Sequence, residues 1–202
     1  MWPAATEEGW KKPVLIQWQR SFEDALRVSK ATGKPVMVAV NMDGEIASEH
    51  WAGVRYREAE TAKFFESYVC VIASVYRHTP RDYDETGKRI VCPRLGSVTC
   101  SEHIQVEREL YDRYFDGIRV SPRHIALDLE TKPIYDVYFA WDTQTVSTAL
   151  VKGIAHLPPG KDLPLDLPTD QRMTSPDARD RQLLEIEYLS AKPVEQIGRA
   201  HV

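Results

Sequence analysis

Two nearly continuous apolar runs constrain the fold of this chain more than any other feature. The first covers residues 36–42 and reads Val-Met-Val-Ala-Val-Asn-Met, and the second covers residues 68–76 and is rich in valine and isoleucine. Strands that are apolar at nearly every position are typical of a sheet that is covered on both faces. The two runs therefore predict two buried central strands.

Helical patterns surround both runs. Ser21 is expected to cap a helix by accepting from the free amides of its first turn, and Gly33 is typical of a helix end. The predicted helices are 21–33, 45–53, 58–66, 105–115 and 143–152, and the further predicted strands are 118–129 and 134–139. Because strands alternate with helices and the last two strands are joined by a short turn, we expect an α/β fold with a central mixed sheet.

The composition divides the chain into four regions. Residues 1–17 are expected to form an irregular lead-in, and residues 18–154 carry the α/β pattern. A proline-rich linker is predicted over 155–174, followed by a helical extension over 175–202. The apolar positions within 176–191 need a partner surface, which predicts docking on another protein or self-association.

The element order and several local sequences resemble the thioredoxin fold. Gly33-Lys34-Pro35, between the lead helix and the first apolar run, is similar to the start of thioredoxin-like domains. Residues 114–122, which include Ser121-Pro122, are similar to the family segment that ends in a cis-proline. The resemblance covers roughly residues 15–153 and is to divergent bacterial members with an insert, here 77–104, before the cis-proline segment.

The redox motif of that family is missing from this sequence. Alignment of the first apolar run places Gly44 and Ala47 at the positions of the two motif cysteines. Dithiol exchange needs a thiolate of low pKa and a second thiol beside it. A general disulfide oxidoreductase is therefore not expected, because function belongs to the site and not to the scaffold.

The insert carries the strongest candidate site. It contains Cys92, Cys100 and His103, with His78 at its beginning. Two thiols and two imidazoles are a ligand set that zinc accepts in a tetrahedron, while copper or iron would take similar ligands in other geometries. The leading hypothesis is a metal site, with zinc ahead of copper or iron, whose coordination also helps to fold the insert. The ligand types are compatible with a structural or a catalytic ion.

Two other interpretations of these cysteines remain open. Cys92 and Cys100 could form a reversible disulfide, which would make the chain an atypical thiol–disulfide redox protein. They could also be two ordinary buried thiols. Cys70 lies inside the second apolar run and is expected in the core, because free cysteine packs as a small hydrophobic residue.

A second group of candidate ligand-binding residues lies near the place of the missing dithiol. Glu49 and His50 could act as a base pair or bind a ligand, although an exposed helix face is the plainer interpretation. The resemblance implies that the cis-proline loop would bring Arg123 and His124 towards residues 44–50, with structural packing as the alternative for His124.

Several arginines in the insert and the cis-proline loop have two interpretations. They could converge on an anionic ligand, or each could pair with a nearby carboxylate on the surface. The arginines in question are Arg77, Arg81, Arg94, Arg119 and Arg123.

The charge balance limits the classes of partner. Lysine and arginine total 26 against 30 aspartates and glutamates, and a net charge of −4 argues against a nucleic-acid-binding protein. No apolar run approaches the ~20 residues of a membrane-spanning helix. The beginning of the sequence lacks a signal-peptide pattern. Three cysteines are too few for a disulfide scaffold, so we expect a cytoplasmic protein or a piece of a longer one.

Overall fold

The domain is built on a four-stranded mixed sheet, as the sequence predicts. The computed structural model describes residues 2–138, 140 and 142–162. The strands lie in the order β2-β1-β3-β4, and β1 is parallel to β2 whereas β3 is antiparallel to both β1 and β4. The strands are β1 Val36–Val40, β2 Val69–Ala73, β3 Arg123–Leu127 and β4 Pro133–Val137.

Helices cover both faces of the sheet, and the fold class is α/β. They are α1 Glu7–Lys11, α2 Phe22–Thr32, α3 Ile46–Gly53, α4 Ala59–Phe65, α5 Cys100–Tyr114 and α6 Thr143–Lys152, with a short 3₁₀ turn at Arg55–Arg57. The helix α1 lies within the lead-in that is predicted to be irregular. Within the described ranges, none of these helices has both the length and the apolar character needed to cross a membrane.

Every residue of β1 and β2 is buried, because successive side chains enter different apolar layers. Met37 belongs to the same layer as Trp51 of α3, whereas Val38 belongs to the layer that contains Leu110 of α5. Cys70 of β2 lies in the first layer and is 4% exposed, which confirms it as a core residue. The continuous apolar runs thus reflect a sheet with two covered faces.

Helix α2 has the boundaries that its sequence predicts. The Ser21 hydroxyl accepts from the Asp24 amide at 3.0 Å, which satisfies one of the unpaired donors of the first turn. Gly33 ends the helix with a φ of 74°, a left-handed conformation that glycine adopts without steric cost.

Helix α5 begins earlier than the predicted range of 105–115, at Cys100. The reason is a reciprocal cap. The Thr99 side chain accepts from the Glu102 amide, while the Glu102 carboxylate accepts from the Thr99 amide at 2.7 Å. The irregular part of the insert is therefore 77–99 rather than 77–104.

We expect Thr99→Ala to lower the free energy of unfolding by about 1 kcal/mol, because the substitution removes one half of this cap. Urea denaturation of the variant and the parent protein measures the change. Thr86→Ala, in an exposed loop, serves as the control. An equal loss in both variants would contradict the assignment of the cap.

The hairpin is shorter than predicted. Strand β3 covers Arg123–Leu127 instead of 118–129, and β4 covers Pro133–Val137 instead of 134–139. The Ser121–Pro122 peptide bond is cis. Because proline has no amide hydrogen to donate to a strand ladder, β3 begins only after this residue.

The first residues of the predicted linker, 155–174, pack against the domain. The Lys161 amide donates to the Thr32 carbonyl at 2.7 Å, next to the end of α2. The rest of the linker and the predicted helical extension 175–202 lie outside the described residues. Docking through 176–191 therefore stays a prediction.

Candidate metal centre

The four side chains predicted as metal ligands lie together. They are His78, Cys92, Cys100 and His103, and their ligand atoms are all within 4.8 Å of one another. His78 follows β2, and Cys92 begins a turn of the insert. Cys100 and His103 belong to the first turn of α5. Residues at positions i and i+3 share one helix face, which is why this Cys-x-x-His pair reaches a common point.

His103 has a buried nitrogen that lacks a hydrogen-bond partner within the described part of the chain. Its Nδ1 lies 3.0 Å from the Ser74 carbonyl oxygen. Because a carbonyl oxygen only accepts, Nδ1 carries the proton and Nε2 of the neutral ring carries a lone pair. Nε2 is buried and has no partner among the described residues. An unpaired buried polar atom costs about 1–3 kcal/mol, and this nitrogen lies within 4.8 Å of the ligand atoms of the other three residues.

A carboxylate orients His78. Its Nε2 lies 2.9 Å from Oδ2 of Asp43, and its Nδ1 lies 3.2 Å from Sγ of Cys92 and 4.0 Å from Sγ of Cys100. Histidines that bind metals commonly donate their other N–H to a carboxylate or a carbonyl, which fixes the ring. Both histidines of the group have such a partner, Asp43 in one case and the Ser74 carbonyl in the other.

The two cysteines of the group are buried free thiols, so the alternative disulfide is not formed in this structure. Sγ of Cys100 accepts from the His78 amide at 3.2 Å and from the Thr79 hydroxyl at 3.3 Å. Hydrogen bonds of this kind favour the thiolate. The thiolate is the form of cysteine that binds metals.

The pKa values of the group are shifted in opposite directions. A hydrogen bond from Cys92, with a further one from His78, outweighs burial and lowers the pKa of Cys100. The same bond and burial raise the pKa of Cys92. Burial lowers the pKa of His78, but its hydrogen bonds with Asp43 and Cys100 outweigh burial and raise the pKa to about 9. Cys100 therefore favours the thiolate form, next to the ring of His78.

The spacing of the ligand atoms fits a tetrahedral zinc ion. Zn–S bonds of about 2.3 Å and Zn–N bonds of about 2.0–2.1 Å place ligand atoms about 3.3–3.8 Å apart. Nδ1 of His78 is already 3.2 and 4.0 Å from the two sulfur atoms. A separation of up to 4.8 Å would have to close by about 1 Å. The four side chains therefore form a group that could hold a metal ion, with a small closure of the largest separation.

The beginning of α3, where the thioredoxin motif would lie, carries a carboxylate instead of thiols. Gly44 precedes the helix and Ala47 lies in its first turn. The Glu45 carboxylate accepts from the Ala47 amide at 3.1 Å and from the Ser48 amide at 2.6 Å. The cysteines of the sequence lie elsewhere, so dithiol exchange at this position is excluded.

Comparison with known proteins gives structural neighbours. No protein-family model and no curated protein matches the chain. Among solved structures, it is similar to a DsbH oxidoreductase, with 17% identity over 74% of this chain and 92% of that chain and a TM-score of 0.46. It is also similar to a thioredoxin from Thermus thermophilus, with 17% identity over 70% of this chain and 92% of that chain and a TM-score of 0.45.

The topology of the sheet decides the fold. A parallel pair, β1 and β2, is joined through the central strand to an antiparallel hairpin, β3 and β4. The helix α3 follows the central strand and α6 follows the hairpin. The fold is thioredoxin-like.

In this thioredoxin-like domain, Glu49 belongs to a charged network beside the metal group. Its Oε2 lies 3.0 Å from Nη1 of Arg94. The buried Arg94 also donates to Oδ1 of Asn41 and lies 3.1 Å from Oδ1 of Asp43. Because Asp43 binds His78, the network connects α3 to a candidate ligand.

His50 is buried, so the expectation of an exposed helix face is wrong for this residue. Its Nδ1 lies 2.7 Å from the Pro3 carbonyl oxygen, its Nε2 accepts from Arg55 at 2.9 Å, and Trp2 covers its ring. Burial lowers the pKa of His50. The lead-in therefore packs on α3 through the contacts of Trp2 and Pro3 with His50.

Arg123 and His124 project to opposite faces of the sheet. The His124 ring packs 4.7 Å from the Trp51 ring of α3, and its Nε2 lies 3.3 Å from the Tyr56 hydroxyl. Arg123 donates from Nε to the Asp136 carboxylate at 2.9 Å in the other layer. Neighbouring strand residues alternate in direction, so the four candidate ligand-binding residues do not form one site.

The five arginines singled out in the insert and the cis-proline loop have separate carboxylate partners, which supports their interpretation as individual ion pairs. Each lies within 3.2 Å of a carboxylate oxygen, so they do not converge on one anion-binding point. The pairs are Arg77–Asp82, Arg81–Glu85, Arg94–Glu49, Arg119–Glu107 and Arg123–Asp136.

We expect His124 to make the stability of the fold depend on pH. Burial lowers the pKa of His124 to about 3, whereas the unfolded chain takes up this proton near pH 6.5. The contribution of His124 to the free energy of unfolding is therefore present in full above pH 6.5. It decreases as the pH falls towards 3, and about 2 kcal/mol is lost at pH 5.

Urea denaturation at pH 7 and pH 5 tests this expectation on the parent protein and His124→Phe, which keeps an aromatic ring. The variant is expected to lose about 2 kcal/mol less than the parent between the two pH values. The same pH dependence in both proteins would assign the effect to other groups.

Sequence reasoning missed two residues that hold the histidine ligands, Asp43 and Ser74. Asp43 follows β1 and Ser74 follows β2. These strands are parallel neighbours, so their carboxyl ends meet at the same edge of the sheet. The signals that could have found them were a carboxylate directly after the first apolar run and a serine near the end of the second.

Proposed function

We propose that this thioredoxin-like domain binds one zinc ion through His78, Cys92, Cys100 and His103, and that the ion has a structural role. One observation carries the proposal. The potential ligand atoms of these four residues lie within 4.8 Å of one another, and among the described residues the buried Nε2 of His103 has no hydrogen-bond partner.

The donor types favour zinc over the other metals. Soft thiolates together with imidazoles in a tetrahedral arrangement are typical of zinc, whereas hard cations prefer oxygen ligands. Two thiolates also balance the charge of a divalent cation, which a buried site requires. Elemental analysis of the purified protein would distinguish zinc from copper or iron.

The number of protein ligands favours a structural role over a catalytic one. Catalytic zinc commonly has three protein ligands and an open position, whereas structural zinc has four. All four positions here are supplied by side chains, and Cys92, Cys100 and His103 are fully buried. An ion held in this way would anchor the insert to α5 and to the segment after β2.

Elemental analysis of untagged protein, purified without chelators or added metal, tests the proposal. We expect close to one equivalent of zinc, and replacement by Co²⁺ is expected to give the absorption of a tetrahedral site with thiolate ligands. A protein that stays free of zinc after incubation with the ion would overturn the proposal. In that case a thiol count that drops reversibly from three to one on oxidation would favour the redox alternative.

We expect Asp43→Asn to weaken zinc binding about 10- to 100-fold, because the carboxylate orients the His78 ring. Competition with a chromophoric chelator measures the affinity. Asp84→Asn, in an exposed loop of the insert, is the matched control and should bind zinc as the parent does. Unchanged affinity in Asp43→Asn would show that His78 does not depend on this carboxylate.

A further inference from the structure

We propose that metal binding in the insert fixes the N-terminal segment, residues 2–14, against the domain, and that loss of the metal releases it. This inference rests on the proposed zinc site and names what the ion controls. The helix of the segment, Glu7–Lys11, has five residues and none of them is buried. A helix this short is not stable alone, so contacts with the rest of the domain must hold the segment.

The segment lies against a turn of the insert that begins at a metal ligand. In this turn, residues 92–96, the Gly96 amide donates to the Cys92 carbonyl at 2.8 Å. Val14 packs so closely on the turn that a Cβ atom on Gly96 would lie 2.6 Å from Cβ of Val14. Gly96 also has a φ of 87°, which favours glycine. Movement of the Cys92 turn would therefore disturb the end of the segment.

Arg57 connects the segment to the Cys92 turn directly. Its buried guanidinium donates to the carbonyls of Trp10 and Lys12 in the segment. It also donates to the carbonyls of Pro93 and Arg94 in the turn, at 3.1 and 3.0 Å. The guanidinium is planar and stays charged, so these acceptors must remain converged around it. A turn displaced by loss of the metal would break this arrangement.

Arg94 provides a second connection. Its guanidinium carbon lies 5.1 Å from the centre of the Trp10 ring, within cation–π distance. The same guanidinium lies 3.1 Å from Oδ1 of Asp43, whose other oxygen binds His78. Trp10 also fills the space beside Gly53, where a Cβ atom would lie 2.8 Å from the ring. Trp10 therefore contacts the guanidinium of Arg94, which in turn lies beside Asp43, the carboxylate that orients His78.

Hydrogen–deuterium exchange on the full chain tests the coupling, with zinc-loaded and chelator-treated protein compared. After metal removal we expect faster exchange in residues 2–14 and 92–97, while β1 and β2 stay protected. Unchanged protection of residues 2–14 would overturn the inference, and so would equal loss of protection in the strands. A parent protein that binds no zinc overturns both proposals, whereas one that binds zinc without this response overturns only the second.

Zinc affinity gives an independent test, because coupling between two sites is reciprocal. If the metal favours docking of the segment, docking favours the metal by the same factor. We expect Trp10→Ala to weaken zinc binding about 10-fold, a typical coupling between sites. Lys11→Ala, whose side chain is 67% exposed, is the control from the same segment and should leave the affinity unchanged. Parent-like affinity in Trp10→Ala would refute the coupling.

Discussion

Cys100→Ser is expected to lose the zinc and to lower the thermal midpoint of unfolding by about 10 °C or more. An ion present at about 1,000 times its dissociation constant stabilises the folded state by about 4 kcal/mol. In a domain of this size each kcal/mol shifts the midpoint by about 2–4 °C. The hydroxyl of serine is a poor substitute for a thiolate that His78 and Thr79 already support.

Cys70→Ala provides the control for this variant. Cys70 is also a buried free thiol, but its Sγ lies near the Phe65 carbonyl in the core and outside the ligand group. The control is expected to keep its zinc even where packing costs stability. Treatment of the parent with a chelator should reproduce the midpoint of Cys100→Ser. If Cys100→Ser keeps its metal, the ion is not bound where we place it.

Arg57→Ala is expected to lower the free energy of unfolding by about 3–5 kcal/mol. The side chain is 7% exposed and donates to five backbone carbonyls in three parts of the chain. Each acceptor left buried and unpaired costs about 1–3 kcal/mol, although water is expected to reach some of them. Urea denaturation monitored by tryptophan fluorescence measures the loss.

Two substitutions control for charge and for position. Arg57→Lys keeps the charge but cannot serve five acceptors with three donors, so it should recover only part of the lost stability. Arg81→Ala removes an arginine whose side chain is 50% exposed and whose partner Glu85 is 86% exposed, and it should cost about 1 kcal/mol or less. Similar losses for Arg81→Ala and Arg57→Ala would mean that the buried carbonyls do not depend on Arg57.

The features that could be predicted from the sequence are those with local causes. The two apolar runs became β1 and β2 because both faces of these strands are covered. Ser21 and Gly33 marked the ends of α2 because capping depends on neighbouring residues. The clustering of His78, Cys92, Cys100 and His103 was also predictable, because cysteine and histidine are the residue types that zinc prefers.

The features that were missed depend on residues far apart in the chain. Asp43 orients His78 across 35 positions, and Arg57 reaches Arg94 across 37. His50 was expected on an exposed face because no local pattern shows that Pro3 and Trp2 fold back over it. The beginning of α5 was an exception, because its capping box is local and was overlooked.

The attachment of the N-terminal segment also has a consequence for biosynthesis. Val14 packs on Gly96 of the insert, and the Trp10 carbonyl accepts from Arg57, 47 positions later in the chain. A ribosome makes this segment before the partners that hold it. The segment can therefore take its final place only after the insert has left the exit tunnel.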